Sequence, residues 1–170
     1  MLFRSVMDGG WNKWRAEAKP VTTEMPITTL QPFKAKVHRE LVVDVEDVMA
    51  GINNGNIKLL DARAADRYRG QNETLDPIAG HIPGALSAPF GNNVGADGCF
   101  RSAPELHELY NTLIGESNAS NAIVYCGSGV TAAHTILTLM HLGFGMARLY
   151  PGSWSHWITD KRRPIELSRN

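Results

Sequence analysis

Residues 121–132 read Asn-Ala-Ile-Val-Tyr-Cys-Gly-Ser-Gly-Val-Thr-Ala. A short apolar strand ends in Cys126, small and β-branched residues follow, and a helix then begins. That order aims backbone N–H groups and a helix N-terminus at one sulfur, which favours the thiolate near neutral pH. A cysteine kept only for packing needs none of this, so Cys126 is the candidate nucleophile. Gly127 and Gly129 leave out side chains where the backbone must curl around the sulfur. Thr131 can cap the helix or donate its hydroxyl. The other cysteine, Cys99 in Asp97-Gly98-Cys99-Phe100, sits among turn residues with no helix to activate it and reads as an incidental loop thiol.

The elements that must position this loop alternate along the chain. Leu41-Val42-Val43 reads as a short strand, and Asp44 caps a helix carrying Val45, Val48, Met49 and Ile52 that ends at Gly55. Ile57-Lys58-Leu59-Leu60 is a buried type of strand ending at Asp61. After it comes a long excursion over residues 62–84, with a short helix near Ala64–Tyr68. Leu86 and Ala88 suggest a brief strand. Ser102-Ala103-Pro104-Glu105 is a capping box opening a helix with Leu106, Leu109, Leu113 and Ile114 on one face. The Cys126 strand, a helix from Thr131 to Leu142, a strand over residues 146–150 and a last helix over residues 153–158 complete the pattern. Strands alternating with helices predict an α/β domain whose mostly parallel sheet of about five strands is covered on both faces. In such sheets chemistry gathers beyond the carboxyl ends of the strands. The loop after Asp61, with Arg63 and Arg67, and the Cys126 loop both lie at such ends. An arginine fork from the first can meet an anion brought to the sulfur in the second; Arg63, with Asp61 nearby, reads as a brace for its loop.

Composition narrows the class. The 170 residues hold enough apolar content for one full core, with formal net charge zero and two cysteines. A basic stripe for nucleic acid is absent from the sequence, as is any apolar run near the ~20 residues that cross a bilayer. Two cysteines make no disulfide framework, so a reducing, cytoplasmic setting is expected. His134 and His141 lie on one helix face, but no third ligand accompanies them at zinc-like spacing, and no metal or other cofactor is expected. His81, before Ile82-Pro83-Gly84, reads as a structural histidine holding a turn.

One internal echo stands out. Gly9-Gly10-Trp11-Asn12-Lys13-Trp14 matches Gly152-Ser153-Trp154-Ser155-His156-Trp157, and each copy is followed by a basic stretch and a proline, Pro20 and Pro164. Self-similarity at about one domain length is the mark of a tandem duplication. Residues 1–26 are therefore expected to be the remnant of a preceding domain plus linker, the linker character running over residues 21–36, with the catalytic domain at 27–170.

The Cys126-Gly-Ser-Gly-Val-Thr-Ala loop resembles the active-site loop of the rhodanese superfamily, specifically the catalytic C-terminal domain of two-domain sulfurtransferases. Leu60-Asp61-Ala62-Arg63 with Arg67-Tyr68, Gly80-His81-Ile82-Pro83-Gly84-Ala85 and Tyr150-Pro151-Gly152-Ser153-Trp154 carry the likeness further, in order, over most of residues 37–165. The resemblance implies a three-layer α/β/α fold and a double displacement in which Cys126 becomes a persulfide and passes the sulfur to a thiol, thioredoxin or cyanide. It also implies that the backbone of Gly127, Ser128, Gly129, Val130 and Thr131 cradles the persulfide. Arg67, Ser128 and Thr131 would bind the donor. A preceding rhodanese-like domain would roof the site.

Within that superfamily, two basic residues after the cysteine go with thiosulfate and Gly-Ser-Gly goes with 3-mercaptopyruvate, so the resemblance leans to mercaptopyruvate. One position departs. Mercaptopyruvate enzymes place a second arginine nine residues after the one matching Arg67, where this chain has Asp76. Two other functions fit the sequence less well. Cysteine phosphatases place an arginine six residues after the nucleophile, and Ala132 stands there. Non-catalytic rhodanese-like modules lack the cysteine that this chain keeps.

Overall fold

The computed structural model describes residues 5–27, 32, 34–115 and 119–168; residues 1–4 of the expected remnant and part of the 21–36 linker lie outside them. A short helix, α1 (Gly10–Ala16), precedes the domain proper. Helix α2 (Val45–Asn54) starts at a capping box in which Asp44 and Asp47 bond each other's backbone N–H, and it stops at Gly55 in the left-handed conformation. Strand β1 (Lys58–Asp61) leads through the one-turn helix α3 (Ala65–Tyr68) to β2 (Leu86–Ser87). Helix α4 (Ala103–Ile114) is held at its start by Glu105, which accepts from the Ser102 N–H at 3.1 Å. Strand β3 (Ala122–Tyr125), helix α5 (Val130–His141), β4 (Arg148–Leu149) and α6 (Ser153–Trp157) follow.

The four strands pair with one another in parallel, in the order β2-β1-β3-β4. Leu86, Leu60, Val124 and Leu149 stand in one row across the sheet. Alternate side chains of the two central strands feed two cores. Leu60 and Val124 pack with Leu106, Tyr110, Ala132 and Leu139 of α4 and α5. Leu59, Ile123 and Tyr125 pack with Val45, Val48, Trp154 and Trp157 of α2 and α6. The result is three layers, α/β/α, and both faces are covered, which is why Leu59-Leu60 of β1 and all of β3 are apolar and buried without alternation.

The expected strand at 41–43 shrinks to a single bridge. Residues Arg39–Leu41 form a 3-10 turn, and only Val42 pairs, in parallel with Leu149, while the Val43 N–H donates to the Leu149 carbonyl at 2.9 Å. Asp44 must already cap α2, so no residues remain to lengthen the strand.

The two halves of the sequence echo share local geometry. Gly10 and Ser153 open their helices at φ of 57° and 54°. The second tryptophan of each copy donates its indole N–H to the proline carbonyl, Trp14 to Pro20 at 3.0 Å and Trp157 to Pro164 at 2.9 Å. What differs is the packing. Trp154 and Trp157 are fully buried, whereas Trp11 is 57% exposed. The first copy touches the domain at its edge, where Lys13 Nζ lies 3.0 Å from Cys99 Sγ and Asp8 accepts from the Phe100 N–H at 2.8 Å. Cys99 is thus buried under this segment and not an open loop thiol.

Candidate active site

The connection from β1 goes to β2 on one side, while β3 lies on β1's other side, so the sheet has a switch point between β1 and β3. Loops leaving the carboxyl ends of these two strands part there and leave a crevice. Cys126 is the first residue after β3 and the α3 loop follows β1, so both sequence-level candidates converge on that crevice.

The Cys126 loop is fastened from behind by the turn before α6. Ser153 Oγ accepts from the Cys126 N–H at 3.1 Å and donates to the Tyr150 carbonyl at 2.9 Å. The N–H groups of Trp154 and Ser155 donate to the carbonyls of Cys126 and Gly127 at 2.9 and 3.0 Å. Ser153 does this at φ 54°, a left-handed conformation that costs a non-glycine residue roughly 1–2 kcal/mol. The echo position, Gly10, adopts the same φ without a side chain. Gly129, at φ 86°, needs to lack a Cβ, because one would lie 3.1 Å from the Pro151 carbonyl oxygen. Gly127 does not: a Cβ there would sit in ordinary contact, 3.8 Å from Arg67.

The sulfur is 2% exposed as part of Cys126 but faces polar donors. The Gly129 N–H donates to Sγ at 3.1 Å. Burial by itself pushes the thiol up; the Thr131 hydroxyl and the N–H groups of Ala132, Ser128 and Gly129 more than offset it and hold the thiol below its ordinary value. Within the 127–131 stretch expected as a backbone cradle, groups of Ser128, Gly129 and Thr131 favour the thiolate. Ser128 and Gly129 donate, Ala132 joins them from the first turn of α5, and Thr131 acts through its side chain. Gly127 instead offers its carbonyl to Ser155, and Val130, 75% exposed, stands at the mouth.

The mouth is a cavity of about 260 Å³ lined by Arg67, Leu75, Asp76, Cys126, Ser128 and Thr131, among others. Arg67 reaches it already engaged. Its Nε and Nη2 donate to Glu73 at 2.8–3.1 Å, and Nη2 also donates to Asp76 at 3.0 Å. Glu73 is buried, which would push its carboxyl up, yet Arg67 and the N–H groups of Asp76 and Leu75 hold it below the usual range. The other oxygen of Asp76 accepts from the Ser155 hydroxyl at 2.7 Å.

Arg63 lies deeper and braces the loop. It makes a bidentate pair with Asp61, a bond to the Gly80 carbonyl at 2.7 Å and a 3.3 Å contact with Glu73, and its guanidinium lies 4.6 Å from the Trp154 ring centre. His81 is buried, stacks on Tyr68 at 3.8 Å and pairs its Nδ1 with the Tyr68 carbonyl, as a turn-holding residue would. His134 and His141 pack against Phe100 instead of facing a common ligand.

Three residues of the site escaped sequence reasoning. Ser153 and Ser155 lie in a motif that the sequence marks but assigns no role at the sulfur, and Glu73 has no motif spacing that would mark it. Their roles arise from contacts across 6 to 79 positions.

The family model of the rhodanese-like domain matches residues 44–160. The chain belongs to this family. It is 41% identical over 160 residues to a "Probable 3-mercaptopyruvate sulfurtransferase" of Pseudomonas aeruginosa, covering 94% of this chain and 56% of that protein. It is 33% identical to the thiosulfate sulfurtransferase of Rattus norvegicus, covering 95% and 54% of the two chains. It is also 33% identical to the "Sulfur carrier protein TtuD" of Thermus thermophilus, covering 89% and 57%. This rhodanese-like chain thus spans just over half the length of these curated relatives. Among solved structures, the anaerobic ergothioneine biosynthesis enzyme from Chlorobium limicola superposes with a TM-score of 0.84 at 22% identity, over 96% of this chain and 41% of that one. That likeness concerns the fold.

Proposed function

We propose that this rhodanese-like domain is a sulfurtransferase that moves a sulfane sulfur through a persulfide on Cys126. The observation that carries the reading is the buried Cys126 sulfur at the head of α5, which accepts from the Gly129 N–H at 3.1 Å, while the Thr131 hydroxyl and the N–H groups of Ala132 and Ser128 also favour the thiolate. The same donors suit a bound persulfide, whose outer sulfur carries the charge one atom further out.

In the first half-reaction the Cys126 thiolate attacks the donor's transferable sulfur, the outer sulfur of thiosulfate or the thiol sulfur of 3-mercaptopyruvate. A new S–S bond forms, the bond to the donor remnant breaks, and the remnant leaves with the electron pair. In the second, an acceptor thiolate or cyanide attacks the outer sulfur and the Cys126 thiolate leaves, restoring the enzyme. Oxidation states balance over the cycle without an external oxidant. The residues leave phosphoryl chemistry without a grip, since Ala132 stands six positions after the cysteine where a phosphatase needs its arginine.

Between the two donors, 3-mercaptopyruvate suits the pocket better than thiosulfate. Ser128 lines the mouth and no lysine does, so a second negative charge finds no partner there. The names of the relatives cover both donors. A preceding rhodanese-like domain is part of the proposal, supported by the echo of local structure, by the exposure of Trp11 and by the apolar rim of Leu75, 78% exposed, and Val130 around the cavity.

The test is direct. The protein is mixed with 3-mercaptopyruvate or thiosulfate, quenched and weighed intact. One added sulfur that maps to Cys126 and is lost in Cys126→Ser is the expected result. A chain that gains no sulfur at Cys126 from either donor, with and without an added N-terminal domain, refutes the proposal.

A further inference from the structure

The carboxylate of Asp76 is not an idle substitution at the mouth of the Cys126 cavity. It sits in the lining, one oxygen on Arg67 Nη2 at 3.0 Å and the other on the Ser155 hydroxyl at 2.7 Å. Its side chain is 10% exposed, so its field is only partly screened. Counting the groups tied together here, two guanidinium groups, Arg63 and Arg67, face three carboxylates, Asp61, Glu73 and Asp76, which leaves one negative charge in excess. An arginine at position 76 would instead leave one positive charge in excess. The pocket is therefore poorly suited to a dianion.

Arg67 narrows the choice further. Its Nε and Nη2 are taken by Glu73 and Asp76, while no acceptor among the described residues holds Nη1, which lies on the side of Gly127. One nitrogen is thus left for a carboxylate, immediately beside a carboxylate that still has lone pairs for a cation. The ammonium and carboxylate of an α-amino acid hang on a single carbon, so one ligand can meet both members of the Arg67–Asp76 pair. We infer that Asp76 selects a zwitterionic sulfur donor, an α-amino-acid persulfide, over thiosulfate and over donors bearing a carboxylate alone. This rests on the sulfurtransferase reading above. The step balances: the Cys126 thiolate attacks the outer sulfur of R–S–SH, the S–S bond breaks, R–S⁻ leaves, and the transferred sulfur keeps its proton as Cys126–S–SH.

The full chain is exposed to equal concentrations of cysteine persulfide, 3-mercaptopropionate persulfide (the same skeleton without the ammonium) and thiosulfate. Loading of Cys126 is followed by quenched-flow peptide mass spectrometry, with free glutathione mixed with the same donors giving the uncatalysed rate. A charge-assisted hydrogen bond to the ammonium predicts that the wild type loads about tenfold faster from cysteine persulfide than from the deaminated analogue. Asp76→Asn brings the two within about twofold, and Asp76→Arg raises thiosulfate loading above its wild-type rate. Ser155→Ala, which keeps the charge but removes the bond that positions the carboxylate, weakens the preference without abolishing it.

Equal wild-type loading from the two persulfides overturns the inference, and so does a preference that survives Asp76→Asn. Loading from all three donors without discrimination sinks this inference alone. Failure of every donor to load Cys126 sinks the sulfurtransferase reading and this one with it.

Discussion

Replacing Thr131 with valine removes a hydroxyl that donates to the Cys126 sulfur and leaves the shape of the side chain nearly intact. A hydrogen bond to a charged group contributes about 1.5–3 kcal/mol to the charged form. The cavity is open to water, which replaces part of that, so the lower end applies, about a factor of ten in the ionisation equilibrium. The sign follows from the direction: the native thiol lies below its ordinary value, and losing a donor to the thiolate moves it back up. At a pH well below both midpoints the variant therefore holds about tenfold less thiolate. The thiolate that remains is more basic, and with a Brønsted slope of about 0.4–0.5 it reacts about threefold faster. Alkylation of Cys126 by iodoacetamide, followed across pH on the Cys126 peptide, should thus be about threefold slower in Thr131→Val at low pH. It should be about threefold faster on the alkaline plateau, with the two curves crossing between. An unmoved midpoint would refute the claim that the hydroxyl stabilises the charge. A uniform loss at every pH would mean that the substitution had disordered the loop instead.

Three further outcomes follow from the same geometry. Gly129→Ala should destabilise the fold and slow Cys126 alkylation, because φ 86° strains any side chain and a Cβ would crowd the Pro151 carbonyl at 3.1 Å, while Gly127→Ala should be tolerated; both are read by urea unfolding. Ser153→Ala should cost about 1–3 kcal/mol by leaving the buried Cys126 N–H unpaired, and Ser153→Gly less than that because it relieves the left-handed backbone, so the glycine variant should have the higher urea midpoint. Arg63→Ala, which strands Asp61 in the interior, should cost about 3–5 kcal/mol, and Arg63→Lys should recover part of it, since a lysine keeps the charge but loses the two-pronged bond and the Trp154 contact.

Much of this architecture is local and so was open to reading from one chain. The caps at Asp44 and Ser102, the stop at Gly55 and the apolar runs of β1 and β3 are properties of a few neighbouring residues. So is the strand–Cys126–helix order, because the direction of N–H groups at a helix start follows from the backbone of that stretch alone. Short strands were harder. Val42 pairs through one bridge and β4 through two residues, because caps and turns on either side compete for the same backbone groups.

The amino-acid order by itself therefore determined the α/β layering and the family, and it singled out Cys126 as the candidate nucleophile. The charge balance of the pocket belonged to the tertiary structure. Arg67 reads in sequence as a free cation for a donor, yet in the fold Glu73 and Asp76 close on it, and Ser155, 79 positions from Asp76, holds the second carboxylate in place. Charges interact through space at 1/r, and sequence distance says nothing about r until the chain has folded.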